Sequence, residues 1–235
     1  MSRSDTIGIS VIIPVFNEEE NIGNLIDYLN RSNQGVMHEI IVVDGGSTDR
    51  TPQIVKEKGA RLIRSVKKGR AVQMNEGAKA AGEDLLYFLH ADSLPPEGFD
   101  REILAAANNG FGAGCFRLAF DTNHPLLRFY AYFTRFRSTL LRFGDQSLFV
   151  SKKIFEQTGG FDETLTVMED QEIVRELKKI TRFYLSDREV ITSARKYRKT
   201  GMIRLQGVFS LIWILYYLGV PQEGLVQIYK RYIKS

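Results

Sequence analysis

The chain has one cysteine, Cys115, three histidines and one tryptophan in 235 residues. A lone cysteine excludes an intramolecular disulfide and fits a reducing compartment. His38, His90 and His124 are scattered, so no Cys or His cluster has the spacing that zinc requires. Long apolar runs are also missing. The most apolar tract, residues 209–220, is shorter than the roughly 18–20 residues a helix needs to span a bilayer, so no transmembrane segment is expected. The opening MSRSDTIGISVIIPV lacks a signal-peptide layout, because its apolar run is short and reads directly into a strand.

The nucleotide and nucleophile signatures most easily recognised are absent as well. The turn GGSTDR at 45–50 is not the dinucleotide pattern GxGxxG, and no GxxxxGK[ST] loop occurs, which argues against a dehydrogenase and a P-loop NTPase. There is no Gly-x-Ser-x-Gly elbow, and Cys115 has no histidine near it in sequence, so covalent nucleophilic catalysis is not indicated. Acidic residues vanish between Val190 and Gln222, where Arg195, Lys196, Arg198, Lys199 and Arg204 fall. With a net charge of only +4, that uneven spread favours phosphate, whether of nucleotides, lipids or nucleic acid.

At 43% hydrophobic and 26% charged, the composition is that of an ordinary globular protein. Without internal repeats, low-complexity tracts or linkers, one domain over residues 1–235 is expected. The β-branched run ISVIIPVF at 9–16 reads as a strand buried on both faces. A helix with Ile22, Leu25, Ile26 and Leu29 at helical spacing follows, with Glu18 to Glu20 crowding its first turn. Strand 39–43, a glycine-bearing turn and a helix from Thr51 to Gly59 repeat the pattern, and strand 61–65 and a helix after Arg70 repeat it again. Alternating strands and helices on short turns predict an α/β fold with a doubly wound, mostly parallel sheet. C-terminal helices close the chain, one over 202–217 and one beyond Pro221 that includes Ile233.

Between them the rhythm loosens. A helix over 101–109 and strands over 112–121, 147–150, 182–185 and 189–191 are expected. Within 124–143, Phe129, Phe133, Phe136, Leu140 and Phe143 form a helical stripe beside Arg128, Arg135 and Arg142. Core packing with solvated arginines is the first reading of that stripe, and docking of a lipid, membrane surface or second subunit is the other.

LLYFLHADS at 85–93 ends an apolar run in His90 and Asp92. On an extended segment these project to one side, at the sheet edge where open α/β folds bind ligands. The alternative is that Asp92 or Ser93 caps the next helix. A single carboxylate supplemented by substrate phosphates suits Mg2+ or Mn2+; His90 is either a further ligand, which suits Mn2+ better, or an ordinary hydrogen-bonded histidine. Asp44, before two glycines, is a candidate ligand contact or a turn residue. Glu169 and Asp170 are adjacent acids at a helix start, where they complement the helix dipole or supply a general base.

In their order, VIIPVFNEEENI at 11–22, EIIVVDGGSTDRT at 39–51, GRAVQMNEGAKAAGEDLLYFLHADS at 69–93, and GGFDE with MEDQEI within 159–173 resemble the family 2 glycosyltransferases. That resemblance implies the nucleotide-diphospho-sugar transferase fold. It implies transfer of a sugar from a nucleoside diphosphate, uridine or guanosine by family habit, to an acceptor hydroxyl with inversion. It places Pro14, Phe16 and Glu18 around base and ribose, Asp44 on the nucleobase, Arg70 near the diphosphate, and Asn75 and His90 in the donor site. Asp92 would hold Mn2+ or Mg2+, and Asp170 would deprotonate the acceptor with help from Glu169. Residues 1–115 become the nucleotide-sugar half and 116–235 the acceptor half. The implied partners are a nucleotide sugar and an acceptor that is lipid-linked or soluble, with no nucleic acid. A peripheral contact with the cytoplasmic membrane face is a separate expectation, from the aromatic-arginine stretch 124–143 and the basic run beside the apolar helix 202–217, and docking of a second copy of the chain is another.

Departures from the family pattern are concentrated near the donor. His90-Ala91-Asp92 stands where Asp-x-Asp is usual, and Gln73-Met74-Asn75 stands where Ala-Arg-Asn is common. The C-terminal Gln-x-x-Arg-Trp element has no clear counterpart, leaving residues 195–199 as an alternative source of phosphate contacts. A nucleotidyltransferase and a non-catalytic nucleotide-sugar binder remain the competing readings.

Overall fold

The run at the start of the chain becomes β1 (Ile9–Val15), with every residue but Pro14 buried. Its alternation divides the interior. Ile9, Val11, Ile13 and Val15 join one apolar cluster and Ile12 joins the other, as a strand covered on both faces requires. The structure is a computed structural model and describes residues 7–142 and 144–232.

β2 (Met37–Asp44), β3 (Arg61–Arg64) and β4 (Leu85–Phe88) extend the sheet in parallel around β1. Their crossovers are α1 (Ile22–Ser32), α2 (Thr51–Glu57) and α3 (Arg70–Ala80). α1 buries Ile22, Leu25, Ile26 and Leu29, the face its spacing predicts, but Glu18 to Glu20 lie in the turn before it rather than in its first turn. α3 packs closely because Gly77 has no side chain: a Cβ there would stand 2.4 Å from Ile12 Cγ2.

The second half comprises β5 (Ser93–Leu94), α4 (Phe99–Asn108), β6 (Ala113–Phe120), α5 (Pro125–Phe133), β7 (Leu148–Ser151), α6 (Lys152–Gln157), α7 (Glu169–Ile180) and β8 (Phe183–Thr192). Then come α8 (Arg195–Thr200), α9 (Met202–Tyr217) and α10 (Gln222–Tyr232). The strand order is β3-β2-β1-β4-β7-β6-β8-β5. β7 runs antiparallel to both neighbours, whereas β6 and β8 are parallel to each other. The carboxyl ends of β1 to β4, β6 and β8 therefore share one edge of a mixed sheet.

Several expectations change. The strand after Leu85 stops at Phe88, so His90 and Asp92 occupy a turn closed by Ser93 N–H to the His90 carbonyl, not an extended segment. Asp92 does not cap the next helix either, which starts at Phe99 after Gly98. The two strands expected over 182–191 are one, β8, whose irregular register against β6 near Arg117 hides its continuity in sequence.

The largest change concerns residues 124–143. α5 ends at Phe133 and only a short 3-10 turn, Thr139–Leu141, follows. Leu127 packs with Leu205, Val208, Ile212 and Leu225, while Phe129, Phe136 and Leu140 are exposed, so the aromatic stripe is not core. Arg142, expected in solvent, is 2% exposed. Its guanidinium donates to the carbonyls of Thr134 (2.7 Å), Ser138 (3.2 Å) and Phe136. It thus replaces with one side chain the backbone bonds that a continued helix would have made. Phe143 and Ile233 lie outside the described residues.

Candidate active site

The first two turns at the sheet edge are tied to each other. The Asn17 N–H donates to Ser47 Oγ (2.9 Å), and Thr48 N–H donates back to Asn17 Oδ1 (2.8 Å). Glu18 N–H donates to Thr51 Oγ1 at 2.8 Å and Glu19 N–H to Asp49 Oδ2 at 3.2 Å. Asn17 accepts a left-handed φ of 55° to make these bonds, and asparagine tolerates that region better than most residues. Asp44 is 3% exposed and closes its own turn by accepting from Ser47 N–H at 2.9 Å. Met74, at the position of the missing family arginine, is buried in the core, and the neighbouring Gln73 is buried too and donates to the carbonyls of Val15 (2.9 Å) and Val43 (2.7 Å), clamping the ends of β1 and β2. Phe16 is half-exposed at the mouth of this region, with Lys68 Nζ 5.6 Å from its ring centre.

A second group of residues faces this one. Glu169 and Asp170 open α7 after Met168, a non-glycine residue at φ 72°, and strain of that kind clusters at functional sites. Arg70, the first residue of α3, holds Nη1 3.3 Å from Glu169 Oε1 and 3.5 Å from Asp170 Oδ2. Glu169 is 3% exposed. Burial pushes its carboxyl up to about 7 despite Arg70, and the Asp170 charge adds to the rise. Asp170 keeps more solvent contact and lines a small cavity with His90, Gly144 and Phe161. Gly144 leaves room for that carboxylate, since a Cβ there would crowd Asp170 Oδ2 and displace it.

His90 and Asp92 stand at the same edge. His90 Nδ1 is 3.2 Å from Asp145 Oδ1, in the 3-10 turn Gly144–Gln146. Burial would raise the Asp145 carboxyl, but the hydrogen bond and charge of His90, with Lys196 and Arg70 beyond, hold it down at about 2. The Asp92 carboxylate makes no hydrogen bond or ion pair among the described residues, and Arg195 senses its charge. Arg195 also bonds Glu18 (3.2 Å) and Glu20 (3.2 Å), which carries α8 over the first turn.

Thus Glu18, Asp44, Arg70, His90, Asp92, Glu169 and Asp170 all reach one edge. Asn75 is occupied differently: its amide bonds both N–H and C=O of Phe161 (2.9 Å each) and Glu163 (3.0 Å), fixing the turn before α7. Asp145 went unrecognised in the sequence, although it is the first acid after Asp121 and follows a glycine. Arg195 stood out only as part of a basic run.

Among the described residues no group of three or more His, Cys, Asp or Glu side chains is placed to hold a metal. An unpartnered Asp92 with His90 two residues before it still fits a hard or borderline divalent ion that completes its shell with phosphate oxygens and water.

Comparison with known proteins bears on the family and the fold. A dolichol-phosphate mannosyltransferase of Pyrococcus furiosus is 33% identical over 107 residues, covering 43% of this chain and 30% of that protein. Glucosyl-3-phosphoglycerate synthase of Mycolicibacterium paratuberculosis is 30% identical over 37% of this chain and 29% of its own length. The matched stretch thus spans about a third of these relatives. Among solved structures, the mannosyltransferase PcManGT from Pyrobaculum calidifontis, in complex with GDP-Man and Mn2+, superposes with a TM-score of 0.71 at 19% identity, covering 88% of this chain and 62% of that one. Glucosyl-3-phosphoglycerate synthase from Mycobacterium tuberculosis, solved with Mn2+, UDP and glucosyl-3-phosphoglycerate, gives a TM-score of 0.63 at 18% identity over 92% of this chain and 81% of that one. The mixed sheet with its flanking helices is therefore the nucleotide-sugar transferase fold. The family model described as Glycosyl transferase family 2 matches residues 10–160, more than half of the sequence, and the chain belongs to that family.

Proposed function

We propose that the protein transfers a sugar from a nucleoside diphosphate to an acceptor hydroxyl with inversion. The observation that carries this reading is the convergence of Arg70, Glu169 and Asp170 on the edge where Asp92 stands unpartnered. The ends of β1 and β2 with Pro14 and Asp44, and the tied turns that follow them with Phe16 and Glu18, would receive base and ribose, and Arg70 would stand beside the diphosphate. Asp92 would hold Mn2+ or Mg2+, with His90 beside it. When bound, that ion stabilises charge on the leaving diphosphate.

Asp170, partly open to solvent, would take the acceptor proton. Glu169 approaches the same Arg70 Nη1 that Asp170 does and so helps to fix the guanidinium beside the base. A base placed opposite the leaving group makes a single displacement invert the anomeric centre, the geometry known from inverting hydrolysis. Asn75 enters as a support of the 161–163 turn. The solved relatives with Mn2+ and a nucleotide or nucleotide sugar support the donor class.

A lipid-linked acceptor and a peripheral contact with the cytoplasmic membrane face belong to the same proposal. No helix among the described residues is long and apolar enough to cross a membrane. Support comes from α5, which exposes Phe129 and Tyr132, and from Phe136 just beyond it, beside a groove of about 560 Å3 lined by Arg117, Arg128 and Arg135. Aromatic and arginine side chains on one exposed face suit an anionic interface.

The test is calorimetric titration of UDP and GDP with Mn2+, followed by turnover of their sugars. Asp170→Asn should bind the nucleotide as the wild type does and lose at least ~100-fold in turnover, the scale of a general base. Nucleotide binding without turnover of any donor would favour the non-catalytic reading.

A further inference from the structure

The departure at position 90 is matched by a carboxylate from elsewhere. Where the family pattern has Asp-x-Asp, this chain has His90, and the Asp145 carboxylate stands 3.2 Å behind its ring from a point 55 residues away. The turn carrying Asp145 is firmly seated. Ser147 N–H bonds the Gly144 carbonyl at 3.0 Å, Tyr87 OH donates to Ser147 Oγ at 3.0 Å, and Gln146 is 1% exposed with Nε2 donating to the Phe116 carbonyl. Ser147 takes a left-handed φ of 59°, a strain that the packing of the turn sustains.

Such a carboxylate has a defined effect on an imidazole. An ionised carboxylate only accepts hydrogen bonds, so a neutral ring beside it keeps its single proton on the nitrogen that faces it. Here that nitrogen is Nδ1. Nε2 is left with its lone pair, and no hydrogen bond reaches it among the described residues. Carboxylates behind histidine ligands fix ring and tautomer in this way, and their removal typically weakens metal binding about 10–100-fold.

We propose that Asp145 is a positioning residue that locks His90 as the Nδ1–H tautomer, offering Nε2 as a nitrogen donor to the divalent ion at Asp92. The lost acid is thereby replaced by a neutral ligand with a carboxylate behind it. Nitrogen donors favour Mn2+ over Mg2+, so the exchange narrows the choice of metal. This inference rests on the donor reading above.

Two measurements test it, neither requiring turnover. Long-range 1H–15N correlation of the 15N-histidine-labelled protein reports the tautomer, and electron paramagnetic resonance of free Mn2+ reports affinity with UDP or GDP present. The wild type should show His90 as Nδ1–H and prefer Mn2+ to Mg2+. Asp145→Ala should mix the tautomers and weaken Mn2+ at least ~10-fold. Asp145→Asn, which retains an acceptor and the turn, should stay within a few-fold, and His90→Asp should erase the Mn2+ preference. Unchanged tautomer and affinity in Asp145→Ala would overturn the proposal, as would wild-type binding of UDP or GDP that is indifferent to Mn2+. Failure of the wild type to bind either nucleotide, with or without metal, would remove the donor reading itself.

Discussion

Arg195 grips Glu18 at 3.2 Å across 177 residues of sequence, and so joins the last third of the chain to the first turn of the sheet edge. The pair is partly exposed, and such pairs contribute at most about 1 kcal/mol to stability. Arg195 also senses the Asp92 charge. Arg195→Ala should therefore leave the unfolding midpoint nearly unchanged while weakening UDP or GDP at least ~10-fold, by loss of a charge-assisted contact to phosphate. Calorimetry with the nucleoside, monophosphate and diphosphate checks this. An equal loss for all three would show that Arg195 shapes the pocket without meeting the diphosphate.

Glu169 gives stability a pH dependence of definite sign. Its carboxyl is raised to about 7 in the folded protein from an ordinary value of 4.5. Between those values the native state binds more protons than the unfolded state, so stability falls as pH rises through the window. The effect is on the order of 2–3 kcal/mol. Glu169→Gln carries no such proton, so urea unfolding at pH 5 and pH 8 should show a smaller loss than in the wild type. Identical losses would place the titration elsewhere.

Gly144 separates stability from chemistry. A Cβ at this position would lie 2.1 Å from Asp170 Oδ2, and a carboxylate at the end of a side chain yields more readily than backbone. Gly144→Ala should cost about 1–2 kcal/mol of stability, in the range of mild overpacking. Because it displaces the proposed base from Arg70, it should reduce turnover at least ~10-fold, with nucleotide affinity unchanged. Full turnover in a folded variant would remove Asp170 from the role of base.

Membrane contact predicts a salt-sensitive partition. Arg128 has no hydrogen-bond or ion-pair partner for its side chain among the described residues. Arg135 stacks on Tyr132, with its guanidinium carbon 3.9 Å from the ring centre. Each basic residue near an anionic surface contributes about 1 kcal/mol, so Arg128→Gln with Arg135→Gln should lower partition onto phosphatidylglycerol vesicles about 10-fold or more at low salt. Co-sedimentation reads the result, and a wild type that stays in the supernatant at low salt ends this reading.

The sheet was legible wherever hydrophobic pattern and turn chemistry agreed. Ile9, Val11 and Ile13 against Ile12 mark a strand buried on both faces, and Thr51, Pro52 and Gly59 bracket a helix. What depended on distant partners was not legible. Periodicity alone cannot show that a helix stops at Phe133, because the substitute for its next turn is the guanidinium of Arg142. Nor can it show that His90 leaves the strand, or that Asp145 waits 55 residues on. Within the site, the ordered motifs marked Asp44, Asp92, Glu169 and Asp170, whereas Asp145 and the reach of Arg195 depend on tertiary packing.

The parallel pairing of β6 with β8 sets a timetable for synthesis. β1, β2 and β3 pair in sequence order and β4 then pairs back onto β1, so these four can assemble as the chain leaves the ribosome, but β6 meets β8 only some seventy residues later, in the register Ala113 to Phe183. The residues that emerge late include Glu169, Asp170 and Arg195. A nascent chain can thus assemble its first sheet well before it carries the acids proposed for transfer.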